Sequence, residues 1–175
     1  MPRRPRSSAR DLTVAAIVAA LYAALGYFGN VFSLPFGPVQ IRFAEALTVL
    51  PFLFPASVPG LAIGCLLTNL LSPYGPLDVI FGTLATAVAA LLTRKTKRVW
   101  LAPLPPILTN LLILPILWSW AQVGEINDAF RAALIFNAAT FLPGQIVACY
   151  GLGLLLLRTL PRIPPLRDYM GQANP

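Results

Sequence analysis

Arg42 and Glu45 stand three residues apart in the stretch VQIRFAEALTVLPFLF, at the mouth of an apolar run. Ionisable side chains at or near membrane depth are costly, so such a pair marks a functional site by default. Positions i and i+3 share one face of a helix, which would aim both heads into one cavity. A carboxylate that only accepts and a guanidinium that only donates suit a small polar ligand with mixed hydrogen-bonding edges. The competing reading is a mutually neutralising pair that only fixes helix register. Other polar side chains interrupt the apolar runs. Asn69 closes one run, Asp78 follows SPYGP directly, and Asn137 and Gln145 lie in the last run, with Asn110 in the run before it. A single amide in such a run serves an interhelical hydrogen bond as readily as a ligand. Clustering at one depth favours a binding site, and Arg42, Glu45, Asn69, Asp78 and Asn137 share the outer half, whereas Asn110 and Gln145 do not.

The same inventory excludes much chemistry. The chain has no histidine, so histidine relays, imidazole ligands and histidine-based triads are absent. No GxxxxGK[ST] phosphate loop, GxSxG nucleophile turn or metal-ligand cluster is present, and no base stands beside a Ser or Thr of the apolar runs. The expectation is a protein that is not an enzyme, with no catalytic residue, no metal and no cofactor. Cys65 and Cys149 lie in apolar runs without a CxxC partner and read as small packing residues, with a disulfide as the alternative.

The elements that must position these residues follow from hydropathy and charge. Hydrophobic residues make up 57% of the 175-residue chain and charged residues only 11%, less than half of what a soluble domain carries, about 25%. The pattern is that of an all-α integral membrane protein. Six spans are expected, at about Leu12–Phe32, Ile41–Phe54, Val58–Ser72, Leu77–Thr93, Val99–Trp118 and Ala132–Arg158. They form one transmembrane domain over residues 12–158, between a basic tail at 1–11 and a C-terminal tail at 159–175. The second and third spans are short enough to form a re-entrant hairpin instead. Pro51, Pro103, Pro105, Pro106, Pro115 and Pro143 fall within or beside spans and would bend them into a compact bundle around a pocket. No internal repeat is evident.

The net charge of +7 resembles a nucleic-acid signal until it is placed on the chain. All basic residues except Arg42 and Arg131 lie in the two tails and the loop TRKTKR. This is the positive-inside pattern, which puts both termini in the cytoplasm and removes the need for a nucleic-acid partner. The first span reads as a retained anchor rather than a cleaved leader. It also carries two rows of small residues, Ala15, Ala19, Ala23 and Ala16, Ala20, Ala24. Such rows let helices approach closely, either within the bundle or against a partner.

The blocks VQIRFAEALTVLPFLFP and PGLAIGCLLTNLLSPYGPLDVIFGTLATAVAALLT resemble the signature of the queuosine-precursor transporter family, whose members are substrate-capturing S components of energy-coupling factor transporters. The resemblance runs from about Leu12 to Leu157. It implies a six-helix bundle in the cell membrane, both termini inside, that takes up a 7-deazaguanine or queuine. It also implies a transmembrane coupling protein and two separate ATPase subunits as partners. The family's AxxxA motif, which docks on the coupling protein, is matched by Ala15, Ala19 and Ala23. The two adjacent donors of a guanine-like edge suit a carboxylate, Glu45 or Asp78, and the carbonyl oxygen suits Arg42, Asn69 or Asn137. The flat ring would stack on Tyr27, Phe36, Tyr74 or Phe136. The alternatives are an S component for another vitamin-like substrate and a membrane scaffold that transports nothing.

The charge pattern makes a direct topological prediction. A reporter fused after Pro175 should read cytoplasmic and one inserted after Asp128 should read outside. An outside signal from the C-terminal fusion overturns the six-span arrangement.

Overall fold

Where water is absent, each backbone N–H and C=O must be satisfied within its own segment, and the apolar runs accordingly become helices. A computed structural model of the chain describes residues 9–32, 40 and 42–173, and no strand occurs among them. Arg3, Arg4 and Arg6 of the basic tail and Phe36, one of the aromatic residues expected to stack on a ligand, lie outside the described residues.

The order of elements is α1 (Ala9–Val31), a 3-10 helix (Phe43–Phe52), α2 (Ser57–Asn69), a π turn (Asp78–Gly82) that runs into α3 (Thr83–Arg94), α4 (Leu104–Val123), α5 (Asp128–Ile146), a π segment (Val147–Gly153), α6 (Leu154–Thr159) and α7 (Pro164–Ala173). Helices thus occupy all six expected segments. Three stretches, Ala9–Val31, Val99–Val123 and Asp128–Arg162, are long and apolar enough to cross a membrane. Two expected boundaries move. The fifth segment continues past Trp118 to Val123, where Gly124 at φ +79° ends it in the left-handed region that favours glycine. The sixth begins at Asp128 rather than Ala132, because Asn127 caps it by accepting from the Phe130 backbone N–H at 3.0 Å.

The 3-10 helix is the central strut. Its residues from Ala44 to Pro51 are buried, and it touches α1, α2, α3, α4, α6 and the π segment. A 3-10 helix rises about 2.0 Å per residue, so ten residues reach about 20 Å, where an α-helix would reach about 15 Å. This explains how so short a run extends through the bundle. Residues three apart eclipse one another in a 3-10 helix, which stacks Glu45, Thr48 and Pro51 in one row. Arg42 does not join that row. It precedes the helix with extended backbone, φ −111° and ψ 91°. The expected shared helical face for Arg42 and Glu45 is therefore not formed.

Helices α1 and α2 meet backbone to backbone. A methyl group placed on Gly60 would lie 2.3 Å from the Ala15 carbonyl oxygen, and one on Gly64 would lie 2.7 Å from Tyr22 Cβ and 2.8 Å from the Ala19 carbonyl oxygen. Gly60 and Gly64 form a GxxxG step, the spacing that allows close helix approach. Ala19 and Ala23 are buried. The row Ala15, Ala19, Ala23, expected to receive a partner protein, is thus already filled by α2. Ala16, Ala20 and Ala24 form the outward row.

The segment expected as a C-terminal tail contains a packed helix. In α7, Leu166, Tyr169 and Met170 lie against the core cluster of Tyr22, Leu50, Phe54 and Leu61. The Tyr169 ring stacks on Phe54 at 5.9 Å, and its hydroxyl donates to the Asp11 carboxylate at the start of α1. Burial and the adjacent carboxylate push the Tyr169 hydroxyl up to about 12, so it remains a donor at neutral pH.

The close α1–α2 contact predicts the cost of one methyl group. Gly60→Ala should lower unfolding stability by about 1–3 kcal/mol, the usual range for overpacking, measured by thermal unfolding in detergent. Gly151→Ala, whose added methyl group meets nothing within 4 Å, is the control and should unfold at or above the wild-type temperature.

Candidate functional site

The turn SPYGPL delivers the first part of the site. Gly75 sits at φ +59°, a left-handed conformation without steric cost only for glycine. The Gly75 backbone N–H bonds to the Ser72 carbonyl at 3.1 Å, and the Asp78 backbone N–H bonds back to the Gly75 carbonyl at 3.1 Å. The chain then enters the π turn, and Asp78 is buried at its start. Wide π turns recur at functional positions because they reorient a side chain within a helix.

Asp78 is the hub of an upper cluster. Arg42 Nη2 lies 3.9 Å from Asp78 Oδ2 and donates to Asn69 Oδ1 at 3.3 Å. Asn69 Nδ2 donates to the Asp78 carbonyl at 2.9 Å. Trp118 Nε1 donates to Asp78 Oδ1 at 3.4 Å. The Arg42 guanidinium lies 5.9 Å from the centre of the Trp118 ring, within cation–π range. Tyr74 stacks on the same ring at 5.4 Å and 21°, and Phe141 meets it edge-on at 5.2 Å. Gly82 is required beside this cluster. A methyl group there would stand 2.8 Å from Asn69 Nδ2 and 2.9 Å from Asp78 Oδ1. Arg42, Thr68, Asn69, Tyr74, Asp78 and Trp118 enclose a small cavity of about 10 Å³, room for about one water molecule.

Glu45 belongs to a separate, lower cluster. Tyr22 donates its hydroxyl to Glu45 Oε1 at 2.9 Å, and Asn110 Nδ2 donates to Oε2 at 3.0 Å. Thr48 Oγ1 and Cys149 Sγ reach the Glu45 carbonyl at 2.6 and 3.6 Å. No cation stands within ion-pair distance of Glu45 among the described residues. Arg42 and Glu45 therefore form no direct ion pair: the nearest carboxylate to the Arg42 guanidinium is Asp78, and the Glu45 carboxylate is held by Tyr22 and Asn110. Gln145, which accepts from Cys149 Sγ at 3.7 Å, also ends here. Among the described residues, Asn110 Oδ1 and Gln145 Nε2 have no hydrogen-bond partner.

Asn137 lies in a third group. Its Nδ2 donates to Ser119 Oγ at 3.0 Å and to Gln122 Oε1 at 3.2 Å, binding α5 to α4. Gln122 continues to the Tyr74 hydroxyl at 3.4 Å, so Asn137 reaches the upper cluster only through a relay. Of the five polar candidates, the structure brings Arg42, Asn69 and Asp78 into direct contact; Asn69 Nδ2 also donates to Cys65 Sγ at 3.3 Å on the side of Glu45, and Glu45 and Asn137 make no direct contact with the three. Of the aromatic candidates, Tyr74 is at the cavity. Tyr27 is half out of the bundle and donates to the Leu67 carbonyl at 3.0 Å, and Phe136 points outward at 64% exposure. Cys65 and Cys149 are free and buried, as packing residues should be. Sequence reasoning missed Trp118. A tryptophan near the end of an apolar run reads as an interfacial anchor, and only its indole N–H, which needs a partner when buried, hinted otherwise.

A family model described as QueT transporter matches residues 12–162. The chain is 36% identical over 83 residues to the Queuosine precursor transporter QueT of Lactococcus lactis subsp. cremoris (strain MG1363), a match covering 47% of this chain and 48% of that protein. The aligned region thus spans about half the length of that relative. No solved structure matches the chain. With the family model covering residues 12–162 of a helical, apolar chain, the protein is a membrane protein that belongs to the QueT transporter family.

Proposed function

We propose that the chain is the substrate-capture component of an energy-coupling factor importer, a multi-pass protein of the cell membrane with six spans and both termini in the cytoplasm. It binds a queuosine precursor, a 7-deazaguanine or queuine, from outside, for ATP-driven uptake through partner subunits. One observation carries this reading: Asp78, Arg42 and Asn69 converge beside the Trp118 ring at a cavity. Two adjacent donors of a guanine-like edge pair with the Asp78 carboxylate. Arg42 and Asn69 supply donors for the base carbonyl. Trp118 offers the flat face, with the ligand ring replacing Tyr74 in the stack.

The contact lengths support Asp78 over Glu45 in this reading. The Asp78 oxygens hold long contacts, 3.4 and 3.9 Å, which a ligand donor readily replaces. The Glu45 oxygens hold hydrogen bonds of ordinary length, 2.9 and 3.0 Å, to the protein itself. The small present cavity requires that Tyr74 move when a base enters. Support for the substrate class comes from the family and from the name of the Lactococcus relative. The absence of a phosphate loop from the sequence supports ATP use by separate subunits. A transmembrane coupling protein and two ATPase subunits are the proposed partners. The outward row Ala16, Ala20, Ala24 replaces Ala15, Ala19, Ala23 as the surface offered to the coupling protein.

Titration of the purified chain with 7-deazaguanines and with a panel of vitamins, read as thermal stabilisation, tests the substrate class. Stabilisation by a vitamin alone would reassign the substrate, and stabilisation by nothing would favour a scaffold. Asp78→Asn should weaken binding by roughly thirty- to several-thousand-fold, the loss expected for one partner of a desolvated charged hydrogen bond. Glu45→Gln should lower folded stability and leave affinity nearly unchanged. The reverse pattern would move the site to the lower cluster.

Coupling gives a second prediction. Ala20→Trp, on the outward row, should keep binding and abolish energised uptake in cells that carry the partners. Ala19→Trp should fail earlier, at folding, because α2 occupies its space. Full uptake by Ala20→Trp would remove this face from the coupling contact.

A further inference from the structure

At the opposite side of the 3-10 helix from Arg42, an open cavity of about 660 Å³ lies between the end of α3 and α7. Four cations line it: Arg94 at the end of α3, Lys95 and Lys97 from the loop after it, and Arg167 from α7. All four are exposed. Half-buried Phe52, Leu53 and Met170 supply its apolar wall. No carboxylate lines the cavity, and none of the four cations forms an ion pair with a described residue. Asp168 follows Arg167 in sequence but is not part of the lining.

The carbonyls that end α3 are tied back into their own chain. Leu92 accepts from the Lys95 backbone N–H at 3.0 Å. Thr93 accepts from the Thr96 backbone N–H at 3.1 Å and from Thr96 Oγ1 at 2.7 Å. The negative end of the helix is thereby neutralised locally, and the cavity keeps its positive field. Its level in the membrane is marked by Trp100, 55% exposed in the turn that follows the loop. Exposed tryptophan beside a basic loop is the signature of the headgroup region.

We infer that this cavity binds the headgroup of an anionic phospholipid from the leaflet on the side of the chain termini. The phosphodiester would sit among Lys95, Lys97 and Arg167, and the first acyl carbons would lie on Phe52, Leu53 and Met170. Basic pockets between membrane helices on that side take such headgroups. The apolar wall of Phe52, Leu53 and Met170 argues against a bare inorganic ion, which has no apolar part to place there. A bound headgroup would fasten α7 to the loop after α3, and through Tyr169 and Asp11 to the start of α1.

The test uses the full chain in phosphatidylcholine nanodiscs containing a minor fraction of phosphatidylglycerol, with the lipid retained after mild detergent extraction measured by mass spectrometry. Wild type should retain phosphatidylglycerol in excess over its share. The variant Lys95→Gln with Lys97→Gln and Arg167→Gln should lose that preference by on the order of 10- to 100-fold, since each basic residue near an anionic surface contributes about fivefold. The variant Arg98→Gln with Arg158→Gln and Arg162→Gln removes equal charge outside the cavity and should keep it. Arg167→Gln alone, an exposed change with little risk to folding, should shift the preference a few-fold in the same direction. Equal loss in both triple variants would reduce the effect to diffuse surface charge and overturn the site. No loss in either would do the same. Displacement of the lipid by excess inorganic phosphate would overturn the lipid assignment in favour of a soluble phosphate.

Discussion

The structure depends on satisfying the polar groups of the 3-10 helix and its flanks without water. Glu45, Thr48 and the residues around them are almost completely buried, and an unpaired polar group there would cost several kcal/mol (about 2–7). Each neighbour therefore carries a specific donor or acceptor. Tyr22 comes from α1, Asn110 from α4 and Cys149 from the π segment. One residue, through its carboxylate to Tyr22 and Asn110 and through its backbone carbonyl to Cys149, thus joins three separate elements at the centre of the bundle. Arg42, just before the helix begins, is left free to face the other way, toward Asp78 and Asn69.

Close packing then follows from small residues. Gly60 and Gly64 let α2 touch the backbone of α1, and Gly153 in the π segment lets Val49 approach to where a methyl group would stand 2.9 Å away. In lipid, helices gain little from burying apolar surface against one another, so short-range packing and hydrogen bonds decide which faces meet. This is why the two alanine rows of α1, equivalent by composition, end in different surroundings. The row that meets glycines is internal; its neighbour remains outside.

The molecule has two distinct ends. One carries a compact polar cluster under stacked aromatic rings, with long contacts that a ligand can replace. The other carries unpaired cations around an open cavity and a terminal helix packed back onto α1. The buried middle, with its hydrogen bonds to Glu45, lies between them. The contacts of the Asp78 carboxylate are longer, 3.4 and 3.9 Å, than those of the Glu45 carboxylate, 2.9 and 3.0 Å.

Hydropathy and charge are local properties, so the sequence alone determined the helical class, the six apolar segments and the grouping of basic residues in tails and one loop. The family was legible in the blocks around Arg42–Glu45 and Asn69–Asp78 for the same reason. Facing was not legible. Runs that are apolar all round carry no stripe to say which side turns inward, so the choice between the alanine rows waited for the glycines of α2. The partner of Arg42 was hidden by backbone geometry. A 3-10 helix turns about 120° per residue against about 100° for an α-helix, and Arg42 lies outside it in extended backbone. Trp118 and Asn137 were decided by the pairing of α4 with the π turn and with α5, contacts between residues far apart in the chain. Only the folded bundle brings those groups within hydrogen-bond reach, because their positions depend on every intervening turn rather than on any local pattern.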